Sequence, residues 1–332
     1  MPAKVDRILM VNPAHLGDTV ITTAILRELK AKNPQLVIDI LCGSWSVPIF
    51  ENHPAVNRIF SLDLPMLNRG LMLHSQKRQL FSESYRQFSE AIKNQQYDVI
   101  TSLYAYEPSC ISQLASLLEA PIVGFSSAGF GPLLTQSFNT MDLHWHEVQH
   151  QANILQAFLG EPKEPEHYSP WLVHHEPTKA MQGAYVVIHP GTGNRDKEWD
   201  IPGWRAIAKE FIDRQIRVVI TGHGPREEYL AREISDGLPI ENYVGKLSFS
   251  EFCNWIEHAS LLIGTESVAP HIASAYSVPS LVLALGKTDL VRWKPLGGKA
   301  EIIDMRFGQT QDAHVVLNRV RQLIANLGMA SI

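Results

Sequence analysis

Cysteine is scarce in this chain: three residues, Cys42, Cys110 and Cys253, among 332. The number is odd and no two share metal-site spacing. That argues against a zinc ribbon or a disulfide framework and for buried apolar residues in a reducing compartment. Long apolar runs are missing too. No stretch reaches the roughly 18 residues that a membrane-spanning helix needs, and Met1 to Asp6 lacks the apolar core of a secretory signal. Basic residues are not in excess: 29 Lys and Arg stand against 34 Asp and Glu, a formal net charge of -5. This argues against a surface that grips nucleic acid throughout. Neither glycine (21) nor proline (20) is abundant enough for a collagen-like or low-complexity chain. The expectation is a cytosolic protein, at most peripheral on a membrane.

What is present is a large apolar fraction, 45%. At roughly 150 residues per domain the length suggests two domains, each with its own core. Arg7 to Asn12 (RILMVN) reads as a buried parallel strand. The loop Pro13 to Asp18 follows, then a helical spacing of apolar residues over Thr19 to Lys32, then a strand over Gln35 to Leu41. A chain that opens strand, loop, helix, strand builds a doubly wound sheet. Tyr97 to Ser102 and Pro121 to Gly124 predict further strands, with a helix over Ile111 to Leu118 between them. Prolines 162, 165, 170 and 177 mark an extended linker. The pattern then restarts, with strands over Tyr185 to His189, Arg217 to Thr221, Leu261 to Gly264 and Ser280 to Ala284. Helices are expected over Pro202 to Arg214, with Asp200 as N-cap, over Ser250 to His258, and around His271 to Ala275. Two like domains face each other across a cleft in this reading, with ligands at the carboxyl ends of strands.

Four loops carry candidate chemistry. In His15-Leu16-Gly17-Asp18-Thr19, Gly17 suits a tight turn and Asp18 falls at a helix start. Asp18 reads either as an N-cap or as a carboxylate base that the positive helix end keeps ionised. In His189 to Trp199, Gly191 and Gly193 allow close approach of a phosphate, Thr192 offers a hydroxyl and Lys197 a charge. This loop lacks the pattern of a dinucleotide fingerprint or a Walker loop, and alone it fits an ordinary turn with a solvated lysine equally well. Gly264 to His271 places small polar residues at a helix start, as an anion site or as caps from Thr265 or Ser267 with His271 packed behind. Leu285-Gly286-Lys287-Thr288-Asp289 follows the last of these strands. The agreement of three loops in one domain points to a bound diphosphate.

Taken together, these loops resemble glycosyltransferase family 9, the family of bacterial lipopolysaccharide heptosyltransferases. The resemblance runs through Leu16-Gly17-Asp18 with Thr22-Thr23, His146-Glu147-Val148 with Asn153-Ile154-Leu155, His189-Pro190-Gly191, Lys197-x-Trp199, Thr221-Gly222, Val244-Gly245 and Gly286-x-Thr288-Asp289. It implies an α/β GT-B fold: two facing Rossmann-like, doubly wound parallel-sheet domains with a cleft between them. Residues 1–160 are expected to bind the acceptor, 161–182 to link, and 183–332 to bind the nucleotide sugar, the last helix being a candidate to pack back on the first domain. The resemblance further implies an inverting, metal-independent transfer with no cofactor beyond a nucleotide-sugar cosubstrate, ADP-heptose first among them. Asp18 matches the family's base. Lys197 and Thr192 match positions at the diphosphate, where preorganised donors are worth about 3–4 kcal/mol each. Glu227 is a looser match to a residue on the nucleotide ribose.

The chain departs from the family where Asp-Ser/Thr-Gly is usual. Here Glu266-Ser267-Val268 stands, with His271 at the family's spacing and Lys287 at a common proline position. Glu266, Ser267, His271 and Lys287 remain candidate donor contacts, while Val268 adds bulk and resists unusual backbone angles. On the acceptor side the candidates are His15, Arg69, Lys77 and Arg78. The last three lie in Met66 to Arg86, which reads as a solvated amphipathic helix or as an arm for an anionic glycolipid near a membrane. His144, His146 and His150 read as cleft or surface histidines rather than metal ligands. The expected function is heptosyl transfer onto a lipopolysaccharide-type acceptor. The alternatives are a nucleotide-sugar epimerase and a GT-B binding protein that has lost catalysis.

Overall fold

A computed structural model describes residues 5–63, 72–106, 109–138, 142–306 and 313–329. The chain forms two compact units. The first comprises Met1–Val173 together with Val291–Lys294, and the second His174–Leu290 with Pro295–Ile332.

The first unit carries strands β1 (Arg7–Asn12), β2 (Val37–Cys42), β3 (Arg58–Ser61), β4 (Val99–Ser102), β5 (Ile122–Phe125) and β6 (Gln136–Phe138). They form one sheet in the order β3-β2-β1-β4-β5-β6, every pair parallel. β1 is central and is buried from Ile8 to Asn12, as both covered faces of a parallel sheet require. Its helices are α1 (Leu16–Lys32), α2 (Val47–Phe50), α3 (His74–Ile92), α4 (Cys110–Leu117), α5 (Glu147–Ile154) and α6 (Gln156–Leu159). α1 starts three residues earlier than its apolar spacing suggests. Gly17 is therefore part of the first helical turn and makes no tight turn, and His15, not Asp18, is the N-cap.

The second unit carries strands β7 (Tyr185–His189), β8 (Arg217–Ile220), β9 (Ile240–Asn242), β10 (Leu261–Thr265), β11 (Ser280–Ala284) and β12 (Ala300–Asp304). The parallel order is β12-β11-β10-β7-β8-β9. Read from its β9 edge it repeats the first sheet strand for strand, the Rossmann order, with a topological switch point between β7 and β10 to match that between β1 and β4. Its helices are α7 (Ile201–Ile212), α8 (Pro225–Ser235), α9 (Phe249–Glu257), α10 (Val268–Ala275), α11 (Leu290–Trp293) and α12 (Ala313–Asn326). Asp200 caps α7, its carboxylate accepting from the Gly203 amide at 2.6 Å.

Part of the proline-rich stretch packs with the first unit: Tyr168 and Leu172 are buried, and the Trp171 amide donates to Thr23 Oγ1 at 2.8 Å. The last helix belongs to the second unit. Val316, Val320 and Ile324 of α12 join the second unit's own core, beside Trp204, Ile207 and Phe211.

Candidate functional site

In the first unit the site is built on the carboxyl ends of β1 and β4. Asn12, the last residue of β1, is buried and holds the loop after it: its Oδ1 accepts from the Ala14 amide at 3.1 Å. Its Nδ2 donates to Thr22 Oγ1 at 2.6 Å. Asp18 sits in the first turn of α1, partly exposed, and its Oδ2 accepts from the His15 amide at 3.3 Å. The carboxylate thus does part of a cap's work. The positive end of α1 favours its ionised form.

Behind Asp18 stands Glu147, wholly buried at the start of α5. Its Oε2 accepts from Arg292 Nε at 2.7 Å, and the Arg292 guanidinium lies 4.7 Å over the Tyr106 ring and 5.3 Å over that of Trp293. Burial pushes the Glu147 carboxyl up from its ordinary range, Arg292 pulls it down, and the Asp18 charge raises it again. His146 caps α5: its Nδ1 accepts from the Val148 amide at 3.0 Å, and its Nε2 is 2.8 Å from the Lys294 carbonyl. Those contacts require the neutral ring, and burial pushes its pKa down to about 4. His146 and His150 are accordingly interior residues, contrary to the expectation of cleft or surface histidines. His144 is exposed. Lys77 and Arg78 lie on α3, which packs against the edge strand β3. Arg69 lies outside the described residues.

In the second unit the candidate residues gather where β7, β8, β10 and β11 end. Gly191 follows β7 and receives the side chain of Glu227, from the first turn of α8. A Cβ on Gly191 would lie 2.1 Å from the Glu227 carboxyl carbon, so a larger residue there would displace the Glu227 carboxylate. Gly222 walls the other side, and the His223 amide donates to Glu227 Oε2 at 2.8 Å. Burial pushes Glu227 up to about 7, the His223 amide lowers it, and nearby Glu198 raises it. Thr265, at the end of β10, donates its hydroxyl to the Gly191 carbonyl at 2.9 Å, which ties the two loops together.

Glu266 explains its own extra length. Its Oε2 accepts from the Leu285 and Gly286 amides at 3.1 Å each, bracing the loop after β11. Lys197 lies on a short 3-10 turn, Arg195–Lys197, which Asn194 caps and the buried Trp199 follows. Its aliphatic stem runs over Gly286, where a Cβ would come within 2.5 Å of Lys197 Cγ. Thr192 Oγ1, Ser267 Oγ and Glu266 Oε1 are buried with no protein hydrogen-bond partner. Ser267 occupies the N-cap position of α10 without making a cap bond, so its hydroxyl is not used by the helix. Val268 begins α10 with ordinary helical backbone, so its β-branching meets no unusual angle there. Gly193 and Lys287 are exposed, and His271 is buried within α10.

Gly191, Thr192, Lys197, Glu227 and Glu266 are thus linked through shared loops. Sequence reasoning did not find Arg292, Gln151 or Asn12. The one available signal was Glu147 and Gln151, polar residues one helical turn apart beside the apolar Val148 and Ile154.

Comparison with known proteins bears on this arrangement. The model of glycosyltransferase family 9 (heptosyltransferase) matches residues 85–318, more than two thirds of the chain. The chain belongs to glycosyltransferase family 9. It is a glycosyltransferase. The lipopolysaccharide heptosyltransferase 3 of Escherichia coli is 27% identical over 303 residues, spanning 84% of this family 9 chain and 83% of its own. An E. coli heptosyltransferase solved with ADP superposes with a TM-score of 0.77 at 17% identity, covering 96% of this chain and 99% of the other. The E. coli ADP-heptose lps heptosyltransferase II gives 0.77 at 18% identity, covering 96% and 99%. At such identities the likeness speaks to the fold, which is GT-B.

Proposed function

We propose that this family 9 enzyme transfers heptose from ADP-heptose to a lipopolysaccharide-type acceptor, with inversion and without a bound metal. The second unit takes the nucleotide sugar and the first the acceptor. The observation that carries this reading is the set of loops after β7, β10 and β11, where Thr192 Oγ1, Ser267 Oγ and Glu266 Oε1 are buried with no protein partner and the Lys197 stem crosses Gly286. Buried hydroxyls without partners are costly unless a ligand completes them. A diphosphate with its many acceptor oxygens would do so at Thr192 and Ser267, with Lys197 as counter-charge. The names of the E. coli relatives, an ADP complex among them, support ADP as the nucleotide.

In the transfer itself the Asp18 carboxylate takes the proton of an acceptor hydroxyl. That oxygen forms its bond to the anomeric carbon as the bond to the diphosphate breaks, and the electron pair leaves on ADP. Lys197 steadies the growing negative charge. Gly191, Gly193, Glu227, Glu266, His271 and Lys287 complete the donor side in this reading. His15, Arg69, Lys77 and Arg78 meet an anionic acceptor, with the enzyme at the cytoplasmic face of a membrane. Asp18→Asn is expected to lower turnover by about 10³-fold while leaving ADP binding intact. Turnover within tenfold of the unchanged enzyme would remove Asp18 as the base.

A further inference from the structure

The polar groups behind Asp18 form one continuous buried network. The Thr22 hydroxyl receives the Asn12 amide and lies 2.9 Å from Gln151 Oε1 and 3.2 Å from the Asp18 carbonyl. Gln151 Nε2 reaches Glu147 Oε1 at 3.5 Å, and Glu147 pairs with Arg292 at 2.7 Å. Thr22 is one turn beyond Asp18 on α1, and Gln151 is one turn beyond Glu147 on α5. The Thr22–Gln151 bond therefore sets the starts of the two helices, and with them Asp18 and Glu147, side by side. The two carboxylates interact electrostatically.

We propose that Glu147 and Arg292 act as a charge-balanced positioning pair for Asp18, holding its loop in place while cancelling each other's field at its carboxylate. A buried carboxylate alone beside a base would hold a proton on it, and a guanidinium alone would make it a poorer proton acceptor. The pair together does neither. The other titratable groups around this end of α1 do not replace either charge. His146 and His150 are held neutral, each pushed down to about 4 by burial. His15 sits at the cap. Lys294 and Asp142 are exposed and screened by solvent. α6 and the 3-10 turn Ser44–Ser46 bring no charge against α1, and Asp63 is bound to the Ser44 amide and hydroxyl. A buried ion pair kept for stability alone gains little over apolar residues of the same shape. Its place beside Asp18 is what makes it useful.

This inference rests on the reading of Asp18 as the base, and its test is separable from that reading. The Asp18 carboxyl is titrated by carboxyl-selective carbon NMR of protein labelled at aspartate side chains, its resonance identified by its loss in Asp18→Asn. Glu147→Gln is nearly isosteric and leaves Arg292 unbalanced. The Asp18 midpoint is expected to fall by about one pH unit. With ADP-heptose and truncated-core lipopolysaccharide, kcat falls several-fold while KM for the donor is unchanged. Glu147→Leu with Arg292→Met removes both charges, and the midpoint returns to that of the unchanged protein. The double change also covers the case in which Glu147→Gln alone does not fold. A midpoint unmoved by Glu147→Gln, or one that stays displaced in the double variant, overturns the proposal. If Asp18→Asn is inactive and these midpoints do not move, only this inference falls. If Asp18→Asn keeps its turnover, the base assignment falls and takes the inference with it.

Discussion

The two units share one strand order and one switch point, yet they treat buried polar groups in opposite ways. At the end of β1, Asn12, Thr22, Gln151, Glu147 and Arg292 bond to one another. At the ends of β7 and β10, Thr192 Oγ1, Ser267 Oγ and Glu266 Oε1 are buried with no protein partner. The first arrangement bonds largely within itself, beside Asp18. The second is the form expected of a surface that a polar ligand completes. A shared topology places a site, and the side chains on its loops decide which kind of site it becomes.

The largest effect concerns a feature that both units share, a buried neutral histidine. His146 and His189 are each pushed down to about 4 from an ordinary 6.5, in both cases first by burial. A lowered folded-state pKa means that the unfolded chain binds the proton first. The contribution to stability is whole above pH 6.5 and is lost as pH falls toward 4. Denaturant unfolding across that window should show both units losing stability together. If His146→Gln and His189→Gln each leave the acid loss unchanged, these histidines are not its source.

Next in size is Lys197→Ala, expected to weaken ADP binding by about 10- to 100-fold, the worth of a charge-assisted bond, with little change in melting temperature. Calorimetry that shows no change would remove Lys197 from the donor site. The smallest effects test the contrast directly. Gln151→Leu breaks a satisfied network and should destabilise the free protein by about 1–3 kcal/mol. Thr192→Val removes a hydroxyl that no protein group uses. It should change the free protein's stability by under about 0.5 kcal/mol while weakening ADP binding several-fold. Equal losses of stability in the two variants would erase the distinction.

The central strands β1, β7 and β11 were legible residue for residue, because a strand covered on both faces is an unbroken apolar run. The edge strands β3, β6, β9 and β12 left no such trace. They are largely half-exposed, so their side chains need no apolar pattern. The start of α1 was misplaced because Leu16-Gly17-Asp18 lacks helical periodicity. The His15 cap that begins the helix depends on backbone angles that a sequence does not print.

Sequence alone determined the α/β class, the two-part plan and the loops at which Asp18, Thr192, Lys197 and Glu266 stand, since local apolar periods and loop chemistry are written in neighbouring residues. Only the tertiary structure paired Glu147 with Arg292, far along the chain. It alone threaded Glu227 between Gly191 and Gly222 and turned Glu266 toward the Leu285 and Gly286 amides. A buried charge or hydroxyl takes its properties from whatever atoms the folded chain brings beside it, and those neighbours are distant in sequence.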